Sequence, residues 1–190
     1  GIVPARLPVV AQVTRLGPCV AGTGKFICIV LNYSDHAAET GATVPSEPII
    51  FMKATSAMCG PNDPIIIPRG SEKTDWEVDL AVIIGTPARR VAKADALDHV
   101  FWYSVMIDVS ARDNRRGGQW IFSKGQDTYA PFGPWIVTAD EVPDPHVLDL
   151  WLTLNGVEKQ LSNSRNMSQM RGADVGIDRS RRDGALFGRT

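Results

Sequence analysis

The chain has 190 residues, of which 44% are hydrophobic and 22% charged, with a formal net charge of -1; that is enough for one domain with a substantial core, and it gives no electrostatic ground for a nucleic-acid or anionic-membrane partner. No apolar run approaches the ~20 residues of a membrane span, the interrupted opening lacks a signal-peptide pattern, and the expected setting is cytoplasmic. Cys19, Cys28 and Cys59 are odd in number and lack CxxC spacing, which argues against a disulfide framework or zinc site and for small core hydrophobes.

Residues 1–24 are rich in Pro, Gly and small side chains without a clear period, the composition of a linker or of the remnant of a preceding segment. From "KFICIVLNY" onward, short apolar runs alternate with turn signals. They are Phe26 to Leu31, Ile49 to Lys53, "PIIIP" at 64–68, "KTDWEVDLAVIIG" at 73–85, Phe101 to Asp108, "PWIVT" and "LDLWLTLNG". Such runs predict a mainly β architecture. "LTLNGVEKQL" predicts a hairpin turning at Asn155-Gly156. Helix is sparse: "SDHAAE" at 34–39, with Ser34 as its cap and Gly41 as its stop, and "KADALDH" at 93–99. From Ser162 the sequence has six arginines, no lysine and little apolar periodicity. Residues 168–190 therefore read as an irregular basic tail in which only "GALFG" could dock.

Chemistry-bearing residues fall into three groups. Alternation along a strand places Glu77, Asp79 and Ala81 on one face, with the two carboxylates about 6.6 Å apart. Burying two like charges so close requires a cation, a proton or water. Asp108, in "YSVMIDVSARD", is a third acid in strand-like surroundings. The three can form an all-oxygen site for Mg²⁺, Mn²⁺ or Ca²⁺; solvated or salt-bridged strand-end acids are the commoner case. His36 and Glu39, three apart on the short helix, can act as a base and its orienting carboxylate, or be surface neighbours by chance. Lys124 and Asp127 sit in "FSKGQDTYAPFGPW", where the glycine lets a ligand approach, although exposed loop lysines are ordinary. His99 and His146 read as structural.

Taken together, "ICIVLNYSDHAAETG", "PSEPIIFMKATSAMCGPNDPIIIPRGSEKTDWEVDLAVIIG", "VMIDVSARD", "SKGQDTYAPFGPW" and "DEVPDPHVLDLWLTLNG" resemble the fumarylacetoacetate hydrolase family over about residues 25–167. The similar proteins form its bacterial branch of 2-hydroxyhepta-2,4-diene-1,7-dioate isomerases and acylpyruvate hydrolases. The resemblance implies a mainly β fold with short helices (α+β), a mixed sheet rolled into a barrel-like core and incomplete at the C-terminal end. It further implies a catalytic domain over 25–167, a homodimer, and Mg²⁺ or Mn²⁺ held by Glu77, Asp79 and Asp108. It implies hydrolysis of a carbon-carbon bond in acylpyruvate-type 2-oxo acids, with His36 and Glu39 activating water and Lys124 beside the developing oxyanion. Lys53, in "FMK", and Asp127 would lie near substrate. Isomerase or hydratase activity, or a non-catalytic metal-binding or structural subunit, are the alternatives.

Three positions depart from the family pattern. Asp79 stands where a second glutamate is usual, Ile107 where asparagine is usual, and Val30 where glycine is usual. Beyond "SNSRNM" the family's apolar helix and closing strands are not recognisable.

Overall fold

The computed structural model describes residues 9–12, 14–168 and 185–187. In chain order, β1 (Lys25–Val30) leads into α1 (Ser34–Glu39), then β2 (Ile49–Lys53), β3 (Met58–Cys59), β4 (Thr74–Asp75), β5 (Val78–Ile84) and β6 (Val100–Ile107). There follow β7 (Ser110–Ala111), α2 (Trp120–Lys124), β8 (Ala130–Pro131), β9 (Val137–Thr138), β10 (Asp149–Leu154), β11 (Val157–Asn163) and β12 (Ala185–Phe187). Among the described residues, two short α-helices beside twelve strands match the mainly β expectation.

The principal layer is a six-stranded sheet in the order β2-β1-β12-β5-β6-β9. It is mixed, with β12 parallel to β1 and antiparallel to β5. Among the described residues β2 and β9 are its two edges, so the expected mixed sheet is present and no closed barrel is formed by them. Core lies on both of its faces. Phe26, Cys28, Val30, Ala81, Ile83 and Met106 pack on one side, and Ile27, Val82, Ile84 and Tyr103 on the other. Burial on both sides is why "FICIV" and "LAVII" read as continuous apolar runs instead of alternating ones.

β10 and β11 form the hairpin, with Asn155 and Gly156 both at positive φ (51° and 78°), the pair of angles a type I′ turn needs. Ser34 is the first residue of α1 and does not cap it; extended Tyr33 precedes the helix and no side chain caps it. Gly41, at φ 65°, does end it. Residues 93–99 form a 3₁₀ helix. "PIIIP" is not a strand: Ile65, Ile66 and Ile67 are exposed, since prolines at both ends restrict ladder pairing. Ala185–Phe187 of "GALFG" form β12; residues 169–184 and 188–190 lie outside the described residues. Positive φ falls on Leu31 (50°) and not on Val30, which completes β1. Cys28 and Cys59 are buried, Cys19 is half-buried, and all three are free thiols.

A buried cluster of three acids and two lysines

The register of two strands assembles the acids. Val78 pairs with Ile107 and Asp79 with Met106 across antiparallel β5 and β6, and the ladder continues one step further, the Asp108 N–H donating to the Glu77 carbonyl at 2.7 Å. Glu77 and Asp108 therefore stand opposite each other, and residues opposite in an antiparallel pair share a face. Asp79, two residues beyond Glu77, shares it as well. That face is the one carrying Ala81, Ile83 and Met106. All three carboxylates are buried, Asp79 and Asp108 completely.

Two lysines supply the compensating charge. Lys124 ends α2, and its Nζ lies 2.7 Å from Asp108 Oδ2 and 3.2 Å from Glu77 Oε2. It is a buried helical residue, not the loop lysine its neighbours suggested. Burial alone would favour loss of its proton, but Asp108, Glu77 and Asp79 outweigh burial and raise its pKa from the usual value. Lys53, paired opposite Phe26, reaches Asp108 Oδ1 at 2.5 Å. It also donates to the carbonyls of Lys124 (2.6 Å), Tyr129 (2.9 Å) and Val109 (3.3 Å). An ammonium has three hydrogens, and four acceptors already surround this one. Lys53, which the resemblance would put near substrate, is thus a buried residue whose three hydrogens face backbone carbonyls.

Arg112 was not singled out from the sequence. Its Nε donates to Asp75 Oδ2 at 2.7 Å and its Nη2 approaches Glu77 Oε2 at 3.5 Å. The signal was its place in "DVSARD", four residues past Asp108. Burial opposes its charge, but Glu77 and Asp75 prevail and raise its pKa. With Lys53 and Lys124 it makes three cations around three acids.

The other candidates stand apart. His36 Nδ1 lies 3.6 Å from Glu39 Oε2, with Glu39 largely exposed, so the pair orients the imidazole more than it stabilises the fold. No hydrogen bond or ion pair joins His36 or Glu39 to Glu77 or Asp108. Asp127 is exposed, and its carboxylate makes no hydrogen bond or ion pair among the described residues. It makes no contact with the acid cluster by hydrogen bond or ion pair.

The loop entering β4 is pinned by Asp113, which accepts from the Glu72 N–H (2.7 Å), Ser71 Oγ (2.9 Å) and the Lys73 N–H (3.2 Å). The Glu72 N–H foremost, then Ser71, hold this carboxyl below the usual carboxylate range. Its contribution is thus present above the ordinary aspartate value of about 3.9 and lost as pH falls through its lowered folded value. Between roughly pH 5 and pH 2, the urea midpoint of Asp113→Asn should fall less than that of the parent protein; equal slopes would refute the assignment.

A family model described as fumarylacetoacetate (FAA) hydrolase C-terminal matches residues 25–170. The chain belongs to the fumarylacetoacetate hydrolase family. Within this family, a Burkholderia multivorans protein whose name assigns a hydrolase only provisionally is 57% identical over 166 residues, covering 86% of this chain and 59% of that one. The chain thus spans about three fifths of the length of the curated relatives it matches. The 5-carboxymethyl-2-hydroxymuconate delta-isomerase of Mycobacterium smegmatis has a similar structure, with TM-score 0.78 and 34% identity over 93% of this chain and 70% of that one. So does the maleylpyruvate hydrolase of Sphingobium sp. SYK-6, solved with manganese(II) and pyruvate, with TM-score 0.76 and 31% identity over 92% and 62%. Fumarylacetoacetate hydrolase family structures thus include both a hydrolase and an isomerase.

A divalent ion of the kind that maleylpyruvate hydrolase carries fits these residues in donor type and burial. The acids offer oxygen only, as hard cations prefer, and the enclosed Glu77 Oε1 has no hydrogen-bond partner. In the arrangement present, however, the carboxylates are held by cations of the chain itself. Among the described residues no three His, Cys, Asp or Glu groups are arranged to hold an ion. Both oxygens of Asp108 face lysines, and Glu77 Oε2 faces Lys124 and Arg112. Loading would require carboxylates to turn from these partners.

Proposed function

We propose that the chain is a divalent-metal-dependent hydrolase of acylpyruvate-type 2-oxo acids that acts as a homodimer. The observation carrying this reading is the buried cluster of Glu77, Asp79 and Asp108 beside the protonated Lys124. The likeness to a manganese- and pyruvate-bound maleylpyruvate hydrolase supports it. With the carboxylates of Glu77 and Asp108 turned from their lysine and arginine partners, Glu77, Asp79 and Asp108 would hold Mn²⁺ or Mg²⁺, which when bound would supply a Lewis acid for the 2-oxo acid.

The remaining chemistry belongs to the chain's own side chains. His36, oriented by Glu39, takes a proton from water as the water oxygen adds to the acyl carbonyl carbon. The carbon-carbon bond then breaks, and its electron pair passes into the pyruvate half as an enolate. Lys124 places fixed positive charge beside the oxygen on which negative charge develops. Protonation of the methylene carbon completes pyruvate, and the acyl half leaves as a carboxylic acid.

The test is a panel of acylpyruvates and unsaturated 2-oxo diacids, each with Mn²⁺, with Mg²⁺ and with chelator, products being read by NMR. Ion-dependent appearance of pyruvate and a carboxylic acid is expected. An isomer of unchanged mass would assign isomerase chemistry, as in the similar Mycobacterium smegmatis enzyme. No ion-dependent product would sink the proposal, and a monomer in sedimentation would remove the homodimer from it.

A further inference from the structure

β11 is patterned the wrong way round for a strand lying on a protein body. Val157 and Leu161 face solvent, Leu161 being 65% exposed, while Ser162 is buried and Gln160 half-buried. Polar groups turned inward need specific partners to offset desolvation, and both have them. The Gln160 side-chain amide closes a two-bond pair on the backbone of Val78, accepting from its N–H at 2.8 Å and donating to its carbonyl at 3.1 Å. Val78 is the residue between Glu77 and Asp79. Two positions along the same face of β11, Ser162 Oγ donates to Asp35 Oδ2 at 2.5 Å, and Asn166 Nδ2 adds a bond at 3.1 Å. The other Asp35 oxygen accepts from the backbone N–H of His36 at 2.8 Å.

α1 needs such outside support. It has six residues and no side-chain cap, well short of the roughly 12–15 residues at which isolated helices become even marginal. The chain just past β11 adds to the anchorage, the Ser168 N–H donating to the Asn32 carbonyl at 2.7 Å and Met167 bridging to Tyr33. Same-face positions two apart on a strand are separated by about 6.6 Å. β11 therefore lays one fixed length between the acid-bearing strand and the helix carrying His36.

The geometry points to Gln160 and Ser162 as positioning residues, together forming a spacer that sets where His36 stands relative to Glu77, Asp79 and Asp108. The inference rests on the hydrolase reading of His36. It adds to that reading a device outside the acid cluster, on a hairpin that contributes no acid or base of its own.

Gln160→Ala, Ser162→Ala and the hydroxyl-retaining Ser162→Thr are compared in the parent and His36→Ala backgrounds. Turnover of an acylpyruvate, Mn²⁺ affinity by calorimetry, and amide exchange over residues 36–41 are measured. Each alanine variant is expected to lower kcat by about tenfold to a hundredfold, the scale of a small misplacement, with KM and Mn²⁺ affinity unchanged. Ser162→Thr should recover most of the loss, and in the His36→Ala background neither alanine should lower the residual rate further. An equal fold-loss in both backgrounds, or a loss carried by KM or Mn²⁺ affinity, would overturn the spacer. If the parent protein cleaves no 2-oxo acid, the hydrolase reading fails separately and exchange decides. Faster exchange of α1 amides in both alanine variants would uphold the spacer, because Gln160 makes no hydrogen bond to α1; unchanged exchange in either would refute it.

Discussion

Asp108→Ala is expected to lose about 3–5 kcal/mol of stability in urea unfolding, the cost of breaking a buried charge pair from one side. Asp108 is fully buried and is ion-paired with both Lys53 and Lys124, so its removal leaves two ammonium groups enclosed without their shared counter-charge. Water cannot readily replace it, because both lysine heads are buried too. Typical domains have only about 5–15 kcal/mol to lose, so the variant should be marginal at room temperature. Asp108→Asn keeps the shape and removes the charge, and should fall between the two. Adding Lys53→Met to Asp108→Ala should recover part of the loss, since an apolar side chain of similar volume tolerates the site better than an unpaired charge. A midpoint for Asp108→Ala within about 1 kcal/mol of the parent would show that the ion pairs contribute little.

Lys124→Met carries the second large effect, and it separates stability from chemistry. On the proposed function, turnover should fall about 10²–10³-fold, the range for removing one preorganised group facing a developing oxyanion. Stability should fall by a few kcal/mol, because Glu77 and Asp108 lose the cation lying between them. The pH dependence supplies the sign. Its neighbouring acids raise the Lys124 pKa, so its stabilising contribution is fully present below the ordinary lysine value of about 10.4 and disappears as pH rises through the elevated folded value. The alkaline limb of the stability profile should therefore be shallower in the variant. Unchanged turnover together with an unchanged alkaline limb would remove Lys124 from both roles.

The acid wall was legible because alternation along a strand is a local rule. It put Glu77 and Asp79 on one face without knowledge of any partner strand. Asp108 needed the register of β5 against β6, and register depends on a connection whose course local pattern does not dictate. The environment of Lys53 was not legible: it donates to three carbonyls and is ion-paired with a carboxylate. Those acceptors come from separate parts of the chain and leave no mark around "FMK". α2 was missed because five residues are too few to show a helical period. β11 shows the opposite difficulty: its hairpin turn was plain from Asn-Gly, while its facing misleads, since pattern alone would turn Leu161 inward and Gln160 and Ser162 outward.

Leu31 stands at the joint between β1 and α1 with φ at 50°, a conformation that costs a residue bearing a side chain roughly 1–2 kcal/mol and glycine nothing. A glycine would make this corner cheap and loose, able to release the following helix at many angles. Leucine makes it costly and stiff. Its side chain also packs against the core cluster around Phe26 and Cys28, which gives the bend a footing on the sheet. The corner therefore behaves less like a swivel than like a bracket, giving the segment that carries His36 a direction of departure to which the hairpin contacts add.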